Sequence, residues 1–177
     1  IGLPCSVARL PLSKHAARLQ TVRSINLIQS GILYCSSIFG YRNVPIRQLQ
    51  SELPSREPQL LLSTDHSLIK GSPILTQWYP SSADGEDGVL EIVNIDLLSS
   101  MLLEPQPPQI TDASLTVGNR HLLYDQGVVD TLPKLNDEKR YQLSSQHFPF
   151  TISVTGPGPS ELAVKHLPTQ LPLAVIL

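Results

Sequence analysis

The sequence predicts a β-rich α+β protein: an antiparallel sandwich-like or partly open barrel domain preceded by a basic, partly helical N-terminal segment. Three observations carry this. From Glu52 onward short apolar runs alternate with turn residues, and 13 of the 16 prolines lie there; each proline fixes φ and removes a backbone donor, so it marks where an element stops. Within that region one stretch, Val89 to Leu103, has helical as well as strand-like spacing. Finally, the first 51 residues contain no Asp or Glu but six basic residues, whereas residues 52 to 177 hold all 15 acidic residues and 7 basic ones. The chain is accordingly divided into a basic segment, 1–51, and an acidic β-rich domain, 52–177.

Residues 13 to 23, SKHAARLQTVR, set Lys14, His15, Arg18 and Arg23 around a short apolar line of Ala16, Leu19 and Val22, which predicts an amphipathic helix. Between Arg23 and Arg42 lie 18 uncharged residues. Ser24, Asn26, Gln29, Ser30, Ser36 and Ser37 make that run too polar for a convincing membrane span, so it is read as a buried helix or a strand pair. A secretory apolar region at 32–39 is the alternative for this stretch. Strands follow at 59–63 (QLLLS) and 73–79 (PILTQWY), with one ring of the Trp78-Tyr79 pair in the core. A hairpin is expected at SSADGEDG, where Asp84-Gly85 and Asp87-Gly88 make a positive φ cheap.

In VLEIVNIDLLSSMLL the alternation of the first residues predicts a strand through Ile95, then a short helix ended by Glu104-Pro105 and an extended PQPPQ linker. Further strands are expected at 113–117, 120–124, 127–131, 140–144, 150–155, 162–166 and 173–177. Gly118-Asn119, Asn136-Asp137 and the GPGP of 156–159 supply turns between them. Residues 127–145 share Gly127, Val128, Val129, Pro133, Leu135, Glu138, Tyr141 and Ser145 with the ApaG family, and in this stretch the chain resembles that family. The resemblance implies a fibronectin-like β-sandwich. The family's following glycine and methionine motif is missing.

The acid-free head fits three roles: an organellar import signal, a retained arm that contacts phosphates, or a plain solvated surface. Arg9, Lys14, Arg18, Arg23, Arg42 and Arg47 are its candidate partner or phosphate contacts, including a contact with RNA. The chain begins with Ile1 and its one methionine is Met101, which reads as a processed product or a fragment. A net charge of −2 excludes a strongly electrostatic nucleic-acid binder for the chain as a whole. A charged fraction of 16% against 41% hydrophobic residues points to a surface covered by protein partners in a complex.

Cys5 and Cys35 are the only cysteines. Two residues define neither a disulfide framework nor a zinc site, so they are read as isolated thiols with a bridge as the alternative. Asp65-His66-Ser67 holds the residue types of a hydrolase triad, but neighbours on a strand point to opposite faces and cannot form the relay. A nucleophile elbow, a P-loop and a dinucleotide fingerprint are all missing. The carboxylates of DGEDG are too closely spaced for an EF-hand and read as a solvated hairpin tip. No catalytic residue, metal ligand, cofactor or small-molecule ligand is identified. The chain is thus read as a non-catalytic binding or structural subunit of a larger assembly, organellar and mitochondrial, with its head as a transit peptide or basic arm. One competing reading is a small enzyme whose site converges from Asp65, His66, His121 and Asp125. The other is an extracytoplasmic or viral β-domain.

Overall fold

Eleven strands in two antiparallel sheets and two helices make up the computed structural model, which describes residues 2–64, 73–105, 110–134, 139–146 and 148–157. Helix α1 (Cys5–Arg18) leads into β1 (Val22–Gln29), β2 (Ile32–Ser36) and β3 (Gly40–Pro45). A 3-10 turn (Ile46–Gln48) follows, then β4 (Gln59–Ser63), β5 (Ile74–Pro80) and β6 (Gly88–Val93). These six strands form one sheet in the order β3-β2-β1-β6-β5-β4. Helix α2 (Ile95–Leu102) crosses to the second sheet, made of β7 (Asp112–Val117), β8 (Arg120–Leu123), β9 (Gly127–Val129), β10 (Lys139–Ser144) and β11 (Phe150–Gly156). Its order is β10-β11-β7-β8-β9. The β-rich α+β architecture expected from the sequence is present, and neither sheet closes into a barrel.

The head and the body meet in the first sheet. Residues 1–51 supply β1, β2 and β3, residues 52–177 supply β4, β5 and β6, and the β1–β6 pairing joins the two sets, with Asn26 opposite Leu90. The uncharged run 24–41 is the strand pair β1–β2 with the turn into β3. The helix expected at 13–23 lies earlier and ends at Arg18. Sheet pairing ends it: Val22 is already opposite Val93, and Asn94 N–H donates to Thr21 O at 2.7 Å. Pro11 sits inside α1 and removes one helical donor, so the helix depends on what it is fastened to. No helix among the described residues is long and apolar enough to cross a membrane.

Successive residues of a strand face opposite ways, and on the first sheet both faces are covered. On one face, Leu27, Cys35 and Val89 pack beneath Cys5, Ala8 and Leu12 of α1. Farther along that face Leu60, Leu62 and Leu75 pack against Ala113, Leu115 and Leu122 of the second sheet, with Ile95 and Leu103 closing the layer. The other face holds Ile28, Trp78 and Leu90, over which the segment 46–55 folds through Ile46 and Leu53. Trp78 is fully buried, and its indole N–H donates to Ser55 O at 2.7 Å. A Cβ at Gly88 would clash with that indole ring, so the ring can lie across β6 only because position 88 carries no side chain.

The expected hairpin joins β5 to β6. Its loop is organised by its own side chains: Asp84 accepts from Ser82 Oγ and from Glu86 N–H, and Ser82 Oγ accepts from Asp87 N–H. The loop then docks on the β1–β2 turn, where Gly31 N–H donates to Glu86 O and Ser30 N–H to Asp87 Oδ1. The Ser82 and Glu86 donors hold the Asp84 carboxyl below its usual value. A carboxyl lowered on folding stabilises above its unfolded value of about 3.8 and loses that contribution as pH falls through the lower folded one. Asp84→Asn is therefore expected to narrow the difference in Tm between neutral pH and pH values below the ordinary carboxylate range, which thermal unfolding across a pH series checks.

Other expected features lie outside the described residues: the strands at 162–166 and 173–177, the Asn136-Asp137 turn, Asp65-His66-Ser67, and all but the first residue of PQPPQ.

Candidate functional site

The tripeptide Cys35-Ser36-Ser37, at the end of β2, is the local feature from which the site is built. Cys35 is joined to Cys5 by a disulfide with a Cα–Cα distance of 5.1 Å, so the reading of two isolated thiols is corrected. The partner lies 30 residues away on a helix, and nothing in the spacing of two cysteines shows that α1 lies across β1 and β2. Ser36 Oγ accepts from Phe39 N–H at 3.4 Å, and Ser37 Oγ accepts from Ile25 N–H at 3.0 Å. Ser13 of α1 donates its hydroxyl to Ser37 O, and Arg9 Nη2 donates to Ile38 O at 3.3 Å. Three consecutive residues and the turn after them thus fasten α1, β1 and β2 to one another.

On the sheet face opposite α1, a cavity of about 240 Å³ opens beside this turn. Ser24 and Asn26 of β1, Thr76 of β5 and Ile92 of β6 form its floor, and Leu33 and Val44 line it from β2 and β3. Leu49 and Gln50 from the segment after β3 form one wall. Arg23, Phe39 and Arg42, all exposed, line it as well, and the Arg42 guanidinium lies 4.8 Å from the Phe39 ring centroid. Polar side chains of this floor and wall give their donors to the protein itself. Asn26 Nδ2 donates to Leu90 O at 3.2 Å, Gln50 Nε2 to Ser63 Oγ at 3.1 Å, and Thr76 Oγ1 to Leu61 O at 3.4 Å.

The six basic residues singled out in the sequence divide among these surroundings. Arg23 and Arg42 line the cavity, and Arg9 reaches the turn beside it from α1. Lys14 and Arg18 are exposed on α1, and Arg47 lies 3.9 Å from Glu86 of the β5–β6 loop. Asp65 and His66 lie outside the described residues. His121, on β8, exchanges a hydrogen bond of 2.8 Å with Thr116 on the neighbouring strand, and Asp125 is exposed in the turn after β8. Among the described residues no three His, Cys, Asp or Glu side chains are grouped to hold a metal ion. Sequence reasoning missed Ser24, Asn26, Ser36 and Thr76 as cavity residues. Their only signal was polarity inside otherwise apolar strands.

Residues 1–167 match the family model described as the CSS motif domain associated with EAL. The chain is 64% identical over all 177 residues to the probable cyclic di-GMP phosphodiesterase PdeD of Escherichia coli strain K12, of which it spans 33%. Among solved structures it resembles the extracellular domain of a candidate histidine kinase, rpHK1S-Z16, with a TM-score of 0.61 and 14% identity, covering 91% of this chain and 81% of that one. It also resembles the periplasmic domain of RsbU from Chlamydia trachomatis, with a TM-score of 0.53 and 12% identity, covering 94% and 80%. At these identities the two likenesses concern the fold alone.

These findings correct the functional reading made from the sequence. A bacterial relative aligned over the whole chain, head included, overturns the mitochondrial location, the transit peptide and the organellar structural subunit. The family model also runs through residues 127–145, where it replaces the resemblance to ApaG. With the motif's three letters standing at Cys35-Ser36-Ser37 and the model matching almost end to end, the chain belongs to the CSS-motif domain family.

Proposed function

We propose that this chain is an extracytoplasmic sensory domain, without catalytic activity of its own, that sets the output of a cyclic di-GMP phosphodiesterase region elsewhere in a longer protein. The observation that carries this is the end-to-end match, at 64% identity, to one third of a probable cyclic di-GMP phosphodiesterase, in a stretch assigned to a domain associated with EAL. The disulfide supports the location, because both cysteines of the chain are spent on one bridge and such bridges persist in oxidising compartments. Helix α1 is the element suited to pass on the state of the domain. It contains Pro11 and is held by Cys35, Ser37 and Ile38, so a change at that turn alters its fastening directly.

Two measurements test the proposal. In Escherichia coli, the chain put in place of the matching third of PdeD is expected to leave alkaline phosphatase active when fused after residue 157, since that enzyme matures only outside the cytoplasm. An inactive fusion overturns the location. The purified chain is expected to leave cyclic di-GMP intact under conditions in which PdeD hydrolyses it. Hydrolysis by the chain alone overturns the division of labour.

A further inference from the structure

From the cavity beside Cys35-Ser36-Ser37 we infer a binding site for a small amphiphilic carboxylate: an apolar body of about eight to ten non-hydrogen atoms carrying one negative charge. The inference rests on the sensory reading above and names what the domain would sense. Size is the first argument. A dry protein cavity of about 150 Å³ holds benzene, and this one, at about 240 Å³, takes a body somewhat larger than that ring. Most side chains that line it are apolar, as is usual for sites that take small organic ligands.

Charge is the second argument. Among the described residues the lining contains two arginines, Arg23 and Arg42, and no carboxylate. Neither arginine makes a salt bridge among the described residues, and both are exposed. Arg42 lies over Phe39 and donates Nη1 to Tyr41 O at 3.3 Å, contacts that hold the guanidinium without neutralising it. A guanidinium pairs with a carboxylate through two parallel hydrogen bonds, so a single anionic head can engage these residues. The missing acid also decides what does not fit. An amino acid would bring an ammonium group next to two cations with no carboxylate to receive it.

The polar part of the lining is the third argument. Asn26, Gln50 and Thr76 give their side-chain donors to Leu90 O, Ser63 Oγ and Leu61 O. The hydroxyl and ring oxygens of a sugar or nucleoside would have to compete with Leu90 O, Ser63 Oγ and Leu61 O for these donors, which weakens binding. An alkyl or aryl body makes no such demand. The position of the site gives it a route to output. Ser36 lines the cavity and holds the Ile38–Phe39 turn, while Cys35, immediately before it, is bonded to α1.

Isothermal titration of the oxidised 177-residue chain with octanoate, 1-octanol and 2-aminooctanoate tests the inference. Octanoate is expected to bind saturably with a Kd on the order of 0.1 mM, and the neutral and zwitterionic analogues at least about tenfold more weakly. The double variant Arg23→Gln/Arg42→Gln, altered only at exposed positions, is expected to lose at least about tenfold in octanoate affinity while its circular dichroism stays that of the parent. Val44→Trp, which fills the cavity from the side of β3, is expected to abolish binding with both arginines in place. The inference is overturned by no saturable binding up to about 10 mM, by equal affinity for octanol, by tighter binding of 2-aminooctanoate, or by variants that bind like the parent. Because binding is read directly, its failure leaves the alkaline phosphatase and hydrolysis results standing, and the converse also holds.

Discussion

Replacing Cys5 and Cys35 together with alanine is expected to lower the unfolding free energy by about 3 to 4 kcal/mol, the chain-entropy value for a loop of roughly 30 residues. The bridge closes a loop of that length between α1 and β2. Both side chains are buried, so the double variant avoids leaving one thiol facing an empty partner position. Urea unfolding under non-oxidising and oxidising conditions checks the expectation. The parent should fall to the level of the variant once reductant is added, and the variant should ignore reductant altogether. Equal midpoints for the oxidised parent and the variant would show that α1 is held to the sheet by its hydrogen bonds and packing alone.

Trp78→Ala is expected to cost about 3 to 5 kcal/mol, the range for removing a large buried aromatic side chain. The ring is wholly buried among Ile28, Ile46, Leu53 and Leu90, and its N–H anchors Ser55 O. The loss therefore opens a void and releases the segment 46–55 at once. Trp78→Phe separates the two contributions, since it keeps most of the apolar body and drops the hydrogen bond. Its expected cost is about 1 to 2 kcal/mol. Midpoints of urea unfolding followed by far-UV circular dichroism check both substitutions. A Phe variant as unstable as the Ala variant would show that the Ser55 anchor, and not the volume of the ring, holds the segment down.

The strands of the acidic part were legible because turns and prolines bracket them. QLLLS is β4 to the residue, and the DGEDG hairpin falls between β5 and β6. The split of Val89–Leu103 into strand and helix was legible for a local reason. Asn94 stands between the two and caps α2, its Oδ1 accepting from Leu97 N–H at 3.3 Å. The acid-free head was harder. From Ser24 to Ile28 β1 is buried on both faces, by α1 on one and by the cavity side on the other, so it shows no alternation and reads equally as helix or strand. The site was barely legible. Arg23 and Arg42 were singled out for their charge, but what brings them to one cavity is the sheet order, which pairs β1 with a strand more than sixty residues later. The disulfide depends on the same placement.

That sheet order also sets a sequence of events in time. Strands β1, β2 and β3 wind up from neighbouring residues, as do β4, β5 and β6, and a single long-range seam, β1 against β6, unites them. Long-range pairings close slowly because the intervening chain must first give up its freedom. A chain delivered from its N-terminus has both cysteines available, with the whole first hairpin, while residues 88–93 are still to come. Oxidation can therefore precede closure of the seam, and until β6 arrives the free edge of β1 offers unpaired backbone groups to any passing strand. The interval between these two events is when this domain is most exposed to misassembly.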